Sequence, residues 1–94
     1  MLKFEWDVRK ARENEAKHGV SFERATRVFD DPKLVLAEDA THSRSEVRYF
    51  AFGQVDGGVL TVRFAVRDER VRIIGAGYWR KGRAFYEQTN RLPR

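Results

Sequence analysis

The spacing of apolar positions changes period twice along this chain. "KFEW" (3–6) alternates briefly, as a short strand does. Asp7 then stands where a carboxylate caps a helix, predicted over Val8–Lys17. His18-Gly19 reads as its end, with Gly19 in the left-handed conformation. Ser21 caps a second predicted helix whose Phe22, Ala25, Val28 and Phe29 share one face, and Asp30-Asp31-Pro32 stops it. Beyond that point the period becomes two. "KLVLAE" (33–38) predicts a strand and "DATHSRSE" (39–46) a loop. "VRYFAFGQV" (47–55), "VLTVRFAVR" (59–67) and "RVRIIGA" (70–76) then predict three longer strands rich in β-branched and aromatic residues. "DGG" at 56–58 and Asp68-Glu69 supply the turns, and residues 80–91 return to a helical spacing.

Pairing these strands sorts their side chains. A turn at Asp68-Glu69 sets Val66 opposite Val71, Phe64 opposite Ile73 and Val62 opposite Gly75. A turn pairing Val55 with Leu60 sets Ala51 opposite Phe64 and Tyr49 opposite Val66, which completes an apolar face. The other face then carries Arg48, Phe50, Phe52, Arg63, Arg67, Arg70, Arg72 and Ile74. Five arginines on one sheet face repel unless offset, either by helix carboxylates such as Glu13, Glu15 and Glu23 or by an anionic partner. Phe50 and Phe52 among them read either as base-stacking rings or as a second core layer beneath the first helices. Cations interleaved with aromatics are what single-stranded nucleic acid requires, and that reading leads.

Composition bounds the rest. A chain of 94 residues, 41% hydrophobic and 13% aromatic, is predicted to form one globular domain over residues 1–94, and its succession of helical and strand spacings makes it α+β in class. No run is apolar enough for a membrane span, and without cysteine there is no disulfide, thiolate or cysteine–zinc chemistry, so a cytoplasmic protein is expected. Charge is divided unevenly. Residues 1–41 hold eight Lys/Arg against nine Asp/Glu; residues 42–94 hold eleven against five, and ten of those eleven are arginine. Arginine's planar fork fits phosphate oxygens, and its guanidinium stacks on bases.

The chemistry-bearing candidates are few. His18 suits the negative end of its helix. His42 stands at a loop–strand junction with Glu46 and Arg48 nearby; His, a carboxylate and arginines suffice for RNA cleavage without a metal, with base, acid and charge stabilisation all supplied by side chains. Glu38, Asp39 and His42 match no metal-site spacing, and no cofactor is called for. In "GAGYWRKGRAFYE" (75–87), Tyr78 and Trp79 precede Arg80, Lys81 and Arg83 in the first turn of the last helix, the unfavourable end for cations. That placement points to an anionic partner, so Tyr78, Trp79, Arg80 and Lys81 join Arg63 and Arg70 as candidate RNA contacts.

"FEWD" (4–7), "KHGVSFERA" (17–25), "VFDDP" (28–32), "HSRSEVRY" (42–49), Val62-Arg63-Phe64 with Val66, and "RIIGAGYWRKG" (72–82), in this order, resemble the BrnT-type toxins, the former DUF497 group. The resemblance covers nearly the whole chain. It implies a RelE-like ribonuclease fold, a small antiparallel sheet with helices packed mainly on one face, and the toxin of a type II toxin–antitoxin pair, an endonuclease that cleaves RNA and halts translation. It also implies a BrnA-like antitoxin that blocks the toxin and binds operon DNA, so that DNA is reached only through the antitoxin. Carried over by position, the active residues are His42, Glu46, Arg48, Arg67 and Arg72. Many members read "RIISAR" followed by a longer basic turn. Here Gly75 and Gly77 stand for that Ser and Arg, the chain is one residue shorter before Tyr86-Glu87, and Arg80 or Lys81 supplies the missing cation. Two other readings share the arginine face: a non-catalytic nucleic-acid-binding module, and an inactive module that only binds its antitoxin.

Overall fold

A computed structural model describes residues 1–42 and 45–91, and the side chain of His42 lies outside the described residues. Five strands, β1 (Phe4–Trp6), β2 (Val35–Glu38), β3 (Arg48–Val55), β4 (Gly58–Arg67) and β5 (Arg70–Gly77), form one sheet in the order β1-β5-β4-β3-β2. β2 to β5 are an antiparallel meander, but β1 lies parallel to β5, so the sheet is mixed where an antiparallel one was expected. "KFEW" is too short to encode a direction. The chain leaves it through helices rather than a tight turn, which frees it to pair in parallel.

The first helix, α1 (Val8–His18), is capped as expected: the Asp7 carboxylate accepts from the Arg9 and Lys10 amides, and Gly19 closes it at φ 70°. The second helix is shorter than expected. α2 covers only Phe22–Ala25, and Thr26–Asp30 tightens into a 3₁₀ turn. Thr26 donates its hydroxyl hydrogen to the Glu23 carbonyl (2.7 Å), a local bond of the kind that bends helices. From these elements Val20, Phe22, Ala25 and Val28 pack on the sheet face formed by Ala51, Leu60, Val62, Phe64, Val71 and Ile73, the main core.

α3 (Arg80–Arg91) packs on the opposite face, while α1 and α2 share the first, so the helices lie mainly, but not wholly, on one face. There Tyr86 joins Val35, Phe52 and Val59 in a smaller core. Phe52 is thus buried, but beneath α3 and not beneath the first helices. The approach is close enough to require glycine at 82, where an added Cβ would lie 1.9 Å from Thr61 Oγ1. Tyr86 donates its hydroxyl hydrogen to Asp31 (2.6 Å), tying α3 to the turn before β2.

The hairpins refine the expected register. Val66↔Val71 and Phe64↔Ile73 pair as read from the sequence, but Ile74 is an extra residue at a bulge, so Val62 meets Ala76 and Gly75 meets Arg63. Asp56 and Gly57 both take positive φ in a two-residue turn, which pairs Val55 with Gly58 rather than Leu60. That slip is by two residues, so every side chain keeps its face.

Candidate nucleic-acid interface

The part of its own sheet face that α3 leaves uncovered carries Arg48, Arg63, Arg67, Arg70 and Arg72. Register aligns Glu5, Arg72, Ala65 and Arg48 in one line across four strands, and the Asp39 amide, donating to the Arg48 carbonyl (2.8 Å), continues the line to the end of β2. Ala65, fully buried, forms the floor between two arginines. Arg72 Nη1 donates to Glu5 Oε2 at 3.1 Å. In the next line Arg70 lies opposite Arg67, which grips Glu46 with two parallel hydrogen bonds, Nε to Oε2 at 2.8 Å and Nη2 to Oε1 at 2.7 Å. Arg63 approaches Asp39, whose side chain is 3% exposed, at 3.9 Å.

Among the described residues the like charges are therefore paired with Glu5, Asp39 and Glu46, from strands and loops, rather than with the helix carboxylates Glu13, Glu15 and Glu23. One signal for this was present: Phe4 and Trp6 pack on the main core, which turns Glu5 to the arginine face.

Hydrogen bonding from Arg67 lowers the Glu46 pKa, and the fields of Arg67, Arg48 and Arg72 lower it further. Glu46 in turn raises Arg67. A carboxylate so held is a weak proton acceptor and a firm brace. It fixes the guanidinium while Arg48 and Arg72 crowd the same end with positive charge.

Of the residues singled out from sequence, Glu46, Arg48, Arg67, Arg70 and Arg72 come together at this end. His42 closes a short 3₁₀ turn, Ala40–His42, in the loop between Asp39 and Arg48, while its side chain is outside the described residues. Tyr78 is not brought there. Its ring covers Gly58 and its hydroxyl donates to the Val55 carbonyl (2.9 Å), at the far end of β4 from Arg67, roughly 30 Å away for nine residues of strand. Trp79 lies over Gly77, where an added Cβ would be 2.5 Å from the indole, and meets the His18 ring edge-to-face at 5.1 Å. Gly77 thus makes room for Trp79. Arg80 and Lys81 are exposed at the start of α3. Among the described residues no three His, Asp or Glu side chains gather as metal ligands, and no helix is long and apolar enough to cross a membrane.

A family model for the ribonuclease toxin, BrnT, of type II toxin–antitoxin systems matches residues 6–82. No curated protein matches the chain.

Proposed function

The chain belongs to the BrnT family of ribonuclease toxins of type II toxin–antitoxin systems, and from that premise we propose that it is an endoribonuclease working on the arginine face without a metal. The observation that carries this reading is the Glu46–Arg67 clamp beside the line Glu5, Arg72, Ala65 and Arg48.

An RNA backbone laid across that line meets Arg48, Arg67 and Arg72 at one phosphate. The adjacent 2′-hydroxyl attacks phosphorus, the 5′-oxygen leaves, and the arginines stabilise the charge added in the transition state. Glu46 holds Arg67 in place for this and keeps its own proton off. His42, in the loop that enters β3, is the proton-transfer group on this reading. Arg63 and Arg70 extend the track for flanking phosphates, with Trp79, Arg80 and Lys81 beyond them. The fold on this reading is RelE-like. The antitoxin is BrnA-like and acidic where it covers this face, and the toxin meets DNA only through it.

The test is incubation of the purified chain with an end-labelled RNA in EDTA, followed by end-group analysis. The reading expects fragments ending in 2′,3′-cyclic phosphate or 3′-phosphate. Cleavage that requires added Mg²⁺, or fragments with 3′-hydroxyl ends, would reject it.

A further inference from the structure

α1 buries none of its residues. Ala11, partly buried, packs against the main core, but so narrow an apolar contact needs other support, and here one side chain does much of it. Asn14 Nδ2 donates to the Val20 and Ala76 carbonyls (3.0 and 2.9 Å), and its Oδ1 accepts from the Ala76 amide (3.1 Å). Asn14 thereby completes the edge of β5 where β1, which ends opposite Ile73, does not reach.

The positions beside Asn14 on the same helix face are Lys10 and Lys17, both exposed, and His18, exposed with its ring set against Trp79. With Arg63, Ile74, Gly75 and Trp79 they line an open pocket of about 300 Å³. The one carboxylate in the lining, Glu13, is two-thirds exposed and drawn toward Arg9 at 3.7 Å. Three cations and an imidazole around one small cavity favour an anion.

Trp79 also borders a second cavity, an apolar groove of about 570 Å³ with Phe50, Phe52 and Phe85 in its walls and Lys81 at its rim. Trp79 is 41% and Phe85 44% exposed, so rings of both are available to a ligand. An anion pocket and an aromatic groove that share a wall match the two halves of a nucleotide: charge for the phosphate, π-faces for the base. An acidic peptide would satisfy the first cavity and leave the second unused.

We infer that these two cavities form a nucleotide subsite for single-stranded RNA, with Lys10, Lys17, His18 and Arg63 taking a phosphate and Trp79, Phe50 and Phe85 taking the adjoining base. It rests on the reading of the chain as an RNA-cleaving toxin and adds a second anchor to the arginine face. Arg63 links the two: it lines the pocket and lies opposite Phe50 in the register.

The experiment uses the full chain and a short fluorescent 2′-O-methyl oligonucleotide, which cannot undergo 2′-hydroxyl attack, with anisotropy followed across a salt series. Lys10, Lys17 and His18 are exposed, so Lys10→Gln/Lys17→Gln and His18→Gln are expected to fold. The double lysine variant is expected to weaken binding about tenfold and to reduce the salt slope by about 0.7, one phosphate's share on a single strand. Trp79→Leu is expected to weaken binding about tenfold with the slope unchanged, as loss of a stacked base requires. Unchanged affinity and slope in the lysine variant, or no binding by the wild-type chain, would overturn the inference. So would lysine substitutions that weaken capture of poly-glutamate but leave the oligonucleotide unaffected, since the pocket would then serve a protein partner. Unmodified RNA is assayed in parallel. Intact RNA alongside lysine-dependent oligonucleotide binding would count against the ribonuclease reading and leave the subsite standing.

Discussion

Arg67 holds Glu46 through two parallel hydrogen bonds of 2.8 and 2.7 Å, from the end of β4 to the loop that enters β3. The folded pKa of Glu46 is lowered from its ordinary 4.5, chiefly by the Arg67 hydrogen bonds. The contribution of this pair to stability is therefore fully present above pH 4.5 and is lost as pH falls through the lower folded value. A carbon-detected NMR titration of the Glu46 carboxylate is expected to place its midpoint below 4.5, and in Arg67→Ala to return it toward the ordinary value. Glu46→Gln keeps one acceptor and loses the charge, and should slow RNA cleavage about tenfold through a loosened Arg67.

Asn14 stands in for a strand. Asn14→Ala would leave the Ala76 amide and carbonyl without their partner and release α1 from the sheet edge. Thermal unfolding is expected to show a loss of about 2 kcal/mol. Asn14→Asp should be no better, since a carboxylate can accept from the Ala76 amide but faces the Val20 and Ala76 carbonyls with no hydrogen to donate.

At Gly82 the helix α3 rests almost directly on β4. A methyl group there would lie 1.9 Å from Thr61 Oγ1 and 3.2 Å from the Phe52 ring. Gly82→Ala would gain helix propensity, yet the forced displacement of α3 should outweigh it, for a net loss of about 1–3 kcal/mol in denaturant unfolding.

Tyr86 and Asp31 join α3 to the turn before β2. Burial, and then the hydrogen bond to Asp31, push the Tyr86 phenol up to about 12. Because the folded value lies above the ordinary 10.0, this contribution is present below pH 10.0 and is lost as pH rises toward 12. For Asp31, burial alone would raise the carboxyl, but hydrogen bonds from the Gln54 amide, the Tyr86 hydroxyl and the Lys33 amide outweigh it and hold it low. Tyr86→Phe should cost about 1–3 kcal/mol at neutral pH. An absorbance titration of tyrosinate should lose its highest step in that variant.

Strand and helix positions were legible because period and caps agree: Asp7, Ser21 and Gly19 act where their chemistry allows. The arginine face was legible for a different reason. A register error of two residues, made at the Asp56-Gly57 turn, leaves every face unchanged, so a wrong partner for Val55 did no harm. The bulge at Ile74 was hidden, since one extra residue in "RIIGAG" leaves no mark in an apolar run. The direction of β1 was hidden too, because three residues carry no orientation.

What the sequence could not display about the site is what sits across from it. Glu5, Asp39 and Glu46 are scattered over more than forty residues and converge only through sheet order. α3, read correctly as a helix, gave no sign of which face it would cover. That choice buries Phe52, leaves the arginine end open and sends Tyr78 to the far end of the sheet. Lys10, Lys17 and His18 looked like ordinary helix surface, and only the docking of Asn14 against Ala76 turns them toward a cavity.

The central claim is that the arginine face cleaves RNA, and Arg67→Ala tests it most directly. Wild-type and variant chains would be compared for single-turnover cleavage of the same labelled RNA in EDTA, with circular dichroism confirming that both are folded. The variant is expected to be at least about a hundredfold slower, the usual cost of removing one donor to transition-state charge. Cleavage by Arg67→Ala at the wild-type rate would contradict the claim.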